Sequence, residues 1–345
     1  MSNIRRDRLY DRYVLIAPER MRRPDRLSIK PKVDNIDLCP FCEGHEEMTP
    51  SEIYAIRENG RDEKGWSVRV IPNLYKALQV ELDDNSQSYS MFESRCGVGA
   101  HEVVIDTTDH HSRFSTMSVS HIGEWLSAIS SRIADLRNDG RLVYASVFKN
   151  SGEGAGATQP HPHTQILVLP IMPDNVLRMM DKNLQYYRRH GRGKVEDILA
   201  NEIKEGVRIV AQKGDFTAYC PFASSFPFEV IIAPRRALMG IDDLNRDDIA
   251  HLAQLISDVF KRLDIQLGEF DYNLAFNLSP LNSNFENEQY FPHLQKYNRM
   301  TIRIMPRIYR LGGFELSTGI LINPVEPEEA AKLLREVDIS SSSGV

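Results

Sequence analysis

Cysteine is scarce in this chain, with four in 345 residues. Two of them, Cys39 and Cys42, share one CPFC turn, while Cys96 and Cys220 stand alone. That spacing excludes a disulfide framework and reads as a metal knuckle plus two plain thiols. An excess of positive charge is also missing. Lys and Arg number 42 against 48 Asp and Glu, a formal net charge of -6, so no nucleic-acid partner is expected. No apolar run approaches the length of a membrane span. The N-terminal MSNIRRDRLYDRY has no apolar signal core, and a cytoplasmic location is expected. Tryptophan is limited to Trp66 and Trp125, which are expected in the core.

What is present is a globular composition long enough for two ordinary domains. YVLIA is expected to be a strand, WSVRVIPNLYKAL a strand and a loop, GAHEVVIDTTDHHSRFSTM a strand ending in polar residues, LVYASVFKNSG a strand running into a loop, and HTQILVLP the next strand. Helical periodicity runs through SVSHIGEWLSAISSRIADLRNDG, opened by Ser118 or Ser120 as a cap and closed by Asn138 and Gly140. The order then recurs: strands at GDFTAYCPF and PFEVIIAPR, an amphipathic helix over LMGIDDLNRDDIAHLAQLISDVFKRLD, and strands at YNLAFNLSP and MTIRIMPRI. SVFKNSG overlies LAFNLSP, and HTQILVLPIMP overlies MTIRIMPRIYR. Strands and helices do not alternate strictly, which favours α+β: two tandem modules, each a mostly antiparallel sheet with helices packed on it. The expected units are 1–170, a helical connection over 171–205, and 206–345. EPEEAAKLLREV near the end is a helix with Pro327 in its first turn.

The chemistry concentrates in GEGAGATQPHPHTQ. Residues i, i+2 and i+4 of a strand share a face, so His161, His163 and Gln165 project together if the strand starts that early. The glycine-rich loop before them would let backbone approach an anion closely. Histidine beside such a loop suggests attack on phosphorus, and glutamine can donate to a phosphoryl oxygen. The second copy, RMTIRIMP, carries none of these groups. Cys39 and Cys42 can offer two thiolates to one zinc and need two further ligands. His45, His101, His110, His111 and His161 are the candidates.

APERMRRP, CPFC, DHHS, FKNSGEGAGATQPHPHTQ, PFEVIIAP, GGFELSTG and INPVEPEEAAKLLREV together resemble the galactose-1-phosphate uridylyltransferase family of the histidine-triad superfamily, over nearly the whole chain. The resemblance implies that His163 is the nucleophile that takes a nucleoside monophosphate covalently. Gln165 contacts the phosphate. One structural Zn2+ per chain is held by Cys39, Cys42, His161 and the histidine of the DHS-like element, read as His111 with His110 as competitor. Arg20 and Arg23 meet the diphosphate, Asn73 lies in the nucleotide pocket, and Asn150 and Thr158 lie near the reacting phosphate. Phe314 and Glu315 lie in a loop that reaches a sugar site, that of a neighbouring subunit in the homodimer the resemblance implies. The partners are a nucleoside diphosphate sugar and a hexose 1-phosphate. The first reading is UMP transfer from UDP-glucose to galactose 1-phosphate. A phosphorylase acting on ADP-glucose or a dinucleoside polyphosphate, and a zinc-stabilised nucleotide-binding protein without turnover, are the alternatives. Met300, Thr301 and Arg303 stand where many relatives bind a second metal, and none is expected here.

Overall fold

The computed structural model describes residues 2–18, 36, 39–285 and 288–340. In the first half the strands are β1 (Asn3–Asp7), β2 (Arg12–Ile16), β3 (Tyr54–Arg57), β4 (Trp66–Pro72), β5 (Ser86–Tyr89), β6 (Phe92–Arg95), β7 (Ala100–Ile105), β8 (Tyr144–Ser151) and β9 (His163–Leu169), with helix α1 (Val119–Leu136) before β8. Helices α2 (Asp174–His190) and α3 (Lys194–Glu205) follow. The second half has β10 (Ile209–Lys213), β11 (Phe216–Tyr219), β12 (Val230–Pro234), α4 (Arg246–Leu267), β13 (Tyr272–Asn277), α5 (Leu294–Tyr297), β14 (Thr301–Pro306), α6 (Gly313–Thr318), β15 (Leu321–Asn323) and α7 (Pro327–Glu336).

The α+β expectation holds, and the sheets of the two halves are joined. One ten-stranded sheet runs β10-β11-β12-β14-β13-β8-β9-β7-β4-β3, all antiparallel. The seam is β8 against β13, with Phe148 opposite Ala275 and Asn150 opposite Asn273. Helices α1 and α4 cover one face. Trp125, Leu126 and Ile129 of α1 share a single buried cluster with Leu252, Ile256 and Val259 of α4 and with Val147, Ile166, Leu274 and Ile302 of the sheet. Both helices start as their sequences direct. The Ser118 side chain accepts from the His121 amide at 3.1 Å. Asn245 and Asp248 form a reciprocal capping box.

The connection is two helices rather than one, broken at Gly191, whose φ of +71° ends α2. Strand β2 pairs with β1 and with β15 in a separate three-stranded sheet. The overlay of HTQILVLPIMP on MTIRIMPRIYR proves one residue out of register. It sets Gln165 on Ile302, yet Ile302 belongs to the α1/α4 core and Gln165 points to the other face. Among the described residues, no helix is long and apolar enough to cross a membrane.

Candidate active site

Strand β9 lies between β7 and β8, and its alternation places the chemistry. Ile166 and Val168 join the α1/α4 core, and the Thr164 hydroxyl accepts from Trp125 Nε1 at 3.1 Å. His163 and Gln165 therefore face the opposite side. The strand begins at His163, so His161 stands just before it.

His163 is 7% exposed. Its Nδ1–H donates to the His161 carbonyl at 2.9 Å, which leaves Nε2 with the lone pair. Burial, with the Lys149 ammonium nearby, lowers its pKa and keeps the ring neutral. Lys149 reaches in from β8, donating to Asp106 Oδ2 at 2.7 Å and to the His163 carbonyl at 3.2 Å. This buried pair fixes the backbone that carries His163. Sequence reasoning missed it; an alternating strand with one lysine on its apolar face was the available signal.

Gln165 is oriented by His101. The Ala77 amide donates to His101 Nδ1 at 3.1 Å, so Nε2 carries the hydrogen and donates to Gln165 Oε1 at 3.0 Å. The Gln165 NH2 is then aimed as a donor, the polarity a phosphoryl oxygen requires. Asn73 joins this group: its amide N–H donates to the His101 carbonyl at 2.8 Å, and its side-chain nitrogen lies 3.1 Å from His101 Nε2. His101 was weighed as a metal ligand; it serves the glutamine instead.

The metal knuckle forms with a different histidine from the one expected. Ligand atoms of Cys39, Cys42, His110 and His161 all lie within 4.8 Å of one another. His161 Nδ1 is 3.7 Å from Cys39 Sγ, 3.6 Å from Cys42 Sγ and 3.3 Å from His110 Nδ1, and His110 Nδ1 is 3.2 Å from Cys42 Sγ. A tetrahedral site with metal–sulfur bonds of about 2.3 Å and metal–nitrogen bonds of about 2.0 Å spaces its ligands roughly 3.3–3.8 Å apart, so the set fits zinc. His111 is not in it. His110 is buried and turned inward, whereas His111 is exposed. His161 Nε2–H donates to the Thr107 carbonyl at 2.8 Å, which points Nδ1 at the thiols. Burial pushes His161 down to about 4, favouring the neutral ring that a metal needs. His45 is spent on the Cys39 carbonyl at 2.7 Å. Phe41, between the two cysteines, packs its ring 5.6 Å from that of His163, so the knuckle braces that histidine.

The glycine-rich loop does not offer its amides to an anion as expected. Gly154 N–H donates to Asp271 Oδ2 at 2.6 Å, and the amides of Ala155, Gly156 and Ala157 bond within the loop. Gly152 is required there: its φ is +84°, and an added Cβ would lie 1.7 Å from Asp271 Oδ1. Asn150 sits on the His163 face by alternation, and its Oδ1 accepts from Asn273 Nδ2 at 2.8 Å. Arg307 donates to Asn273 Oδ1 at 3.2 Å, an arginine brought to the site from the second half that sequence reasoning did not single out. Thr158 is exposed at the loop end. Arg20 and Arg23 lie outside the described residues. Phe314 is 46% exposed on α6, and Glu315 accepts from its own Gly312 amide at 2.9 Å. Neither is joined to the His163 group within this chain.

Sequence models of the galactose-1-phosphate uridyl transferase N-terminal domain and C-terminal domain match residues 1–173 and 179–342. The chain belongs to the galactose-1-phosphate uridyl transferase family. Like that family it is a nucleotidyltransferase. An ADP-glucose phosphorylase from Arabidopsis thaliana is 32% identical over 98% of this chain and 93% of its own length. A galactose-1-phosphate uridylyltransferase from Thermotoga maritima is 26% identical over 98% of this chain and 99% of its own. The crystal structure of the Arabidopsis ADP-glucose phosphorylase with bound ADP-glucose superposes with a TM-score of 0.82 at 29% identity, covering 98% and 100% of the two chains. In this family member, the second-half counterpart of the histidine strand carries Arg303, which bonds Glu229 at 2.6 Å beneath Tyr10.

Proposed function

We propose that this protein moves a nucleoside monophosphate from a nucleoside diphosphate sugar to a phosphate-bearing acceptor through a covalent bond to His163. The carrying observation is the ring itself: buried, neutral, its Nδ1–H held by the His161 carbonyl and its Nε2 lone pair available. Nε2 attacks the α-phosphorus, the N–P bond forms, and the sugar 1-phosphate leaves with the electron pair of the broken P–O bond. An oxygen of the acceptor then attacks the same phosphorus and the N–P bond breaks. The Gln165 amide donates to a non-bridging oxygen in both steps, and the barrier is lowered by positioning and charge stabilisation.

ADP-glucose as donor and inorganic phosphate as acceptor is the favoured pair, supported by the 32% identity to a phosphorylase of that name. The products would be glucose 1-phosphate and ADP. UDP-glucose with galactose 1-phosphate is the second reading, supported by the family match and the Thermotoga relative. One structural zinc, held by Cys39, Cys42, His110 and His161, ties the CPFC turn to the strand of His163. Asn150, Asn73 and Thr158 line the path of the nucleotide in this reading, and Arg20 and Arg23 are assigned to its diphosphate by family resemblance. Phe314 and Glu315 serve the sugar of a neighbouring subunit in a homodimer.

Intact-protein mass after brief exposure to ADP-glucose or UDP-glucose, without acceptor, tests the proposal. An AMP gain that is absent in His163→Ala supports the first pair, and a UMP gain the second. No adduct with either sugar nucleotide would sink the covalent mechanism.

A further inference from the structure

On the far side of the connection, α2, the start of α3 and the turn after β1 enclose two adjoining cavities of about 560 and 670 Å3. Arg6, Arg8, Lys182, Arg188, Arg189 and Lys194 supply their positive walls. None of the residues grouped above around His163 lines them.

The carboxylates at this cleft are already engaged. Glu202 and Glu205 take Arg208 at 2.9 and 3.0 Å, and Asp197 takes the Tyr186 hydroxyl at 2.8 Å. Asp7 holds Arg12 at 3.2 Å, and Asp11 holds Arg6 at 2.8 Å. The cations are not matched in the same way. Among the described residues, Arg8, Arg188, Arg189 and Lys194 bond no carboxylate. Lys194 is the sharpest case. It is 7% exposed, lines both cavities, and its ammonium makes no hydrogen bond to a described residue. It also opens α3, where the helix dipole disfavours a cation. Burial pulls it down to about 8. An unpaired buried ammonium is costly unless something arrives to satisfy it.

We propose that this cleft is a second binding site, for a small phosphate-bearing molecule, separate from the reacting site. The volumes exceed a lone phosphate and suit a ligand of nucleotide size. The arginines suit phosphate oxygens bidentately, and Lys194 supplies a point charge at the depth of the cleft. Tyr186, whose ring lies 4.2 Å from that of His190, gives the remainder of such a ligand a flat wall.

The test is calorimetric titration of the full chain with inorganic pyrophosphate at 0.15 M salt, beside Lys194→Met and Arg8→Gln. Lys194→Met keeps the volume and removes the buried charge, so it should fold; Arg8→Gln provides the second variant. Each should weaken one pyrophosphate-binding event about tenfold or more, while formation of the nucleotidyl adduct at His163 proceeds as in the wild type. Pyrophosphate bound equally by all three proteins would overturn the proposal. So would binding that disappears at 0.15 M salt. A change in oligomer mass in the variants, with pyrophosphate affinity unchanged, would assign the cleft to contact between copies of the chain and overturn it too.

Discussion

At the residue scale, adjacent histidines divide sharply. His110 and His111 follow one another, and sequence pattern alone favoured the one that precedes serine. The backbone turn after β7 decides otherwise, directing His110 inward to 3.2 Å from Cys42 Sγ and leaving His111 at the surface. Motif spacing names a ligand only to within the turn that carries it, because neighbouring side chains there point in different directions. Metal analysis of purified protein should find about one zinc per chain in His111→Ala and a clear deficit in His110→Ala. Equal zinc in both would remove His110 from the site. Lys194 yields a second test at this scale. Its folded pKa of about 8 lies below the ordinary lysine value, so between pH 8 and 10.5 the unfolded chain binds more protons and stability rises with pH. Below pH 8 the full penalty applies, at most about 3 kcal/mol. Asp7 and Asp11 on one side and Arg8 and Lys182 on the other face the ammonium and set that balance. Lys194→Met should therefore be the more stable protein at pH 7, by about 1–3 kcal/mol, with the gap in denaturant midpoints narrowing as pH rises from 8 toward 10.5. A gap that stays constant would show that the lysine is not held out of its ordinary range.

At the element scale, strands and helices were largely legible and the loops between them were not. The alternation of HTQILVL and the cap at Ser118 are local signals, and they hold. The loop from Gly152 to Ala157 reads locally as an anion cradle. The amides of Gly154, Ala155, Gly156 and Ala157 are instead spent on the loop's own carbonyls and on Asp271, a residue from the other half of the chain. No local pattern announces a partner so distant in sequence. The loop is a rigid spacer that sets where HPH begins, and its two left-handed glycines should differ in consequence. Gly156 has φ +85° and open space around a Cβ, so Gly156→Ala should cost about 1 kcal/mol, the conformational penalty alone. Gly152→Ala adds the collision with Asp271 and should cost about 2 kcal/mol or more. Urea midpoints compare the two directly, and equal costs would mean that the Asp271 contact yields without strain.

At the scale of the whole molecule, the faint repeat foretold two similar halves but not how they meet. Whether two α+β units face each other, stack or share an edge depends on which strands remain open, and that is a property of the assembled sheets. Here β8 and β13, the matching strands SVFKNSG and LAFNLSP, pair with each other. The shared edge has two effects. It draws Asn273 and Arg307 to Asn150, so the second half contributes to a site whose histidines all lie in the first. It also merges the cores, since α1 and α4 bury their apolar faces in one cluster over a continuous sheet. Neither half can open without exposing the other's apolar surface. Unfolding in urea should then be one cooperative event, with fluorescence from Trp66 and Trp125 in the first half and far-ultraviolet circular dichroism of the whole chain tracing the same curve. A fluorescence transition completed before the dichroism change would mean that the halves are energetically separate. The seam would then be a contact between two domains rather than the middle of one folded body.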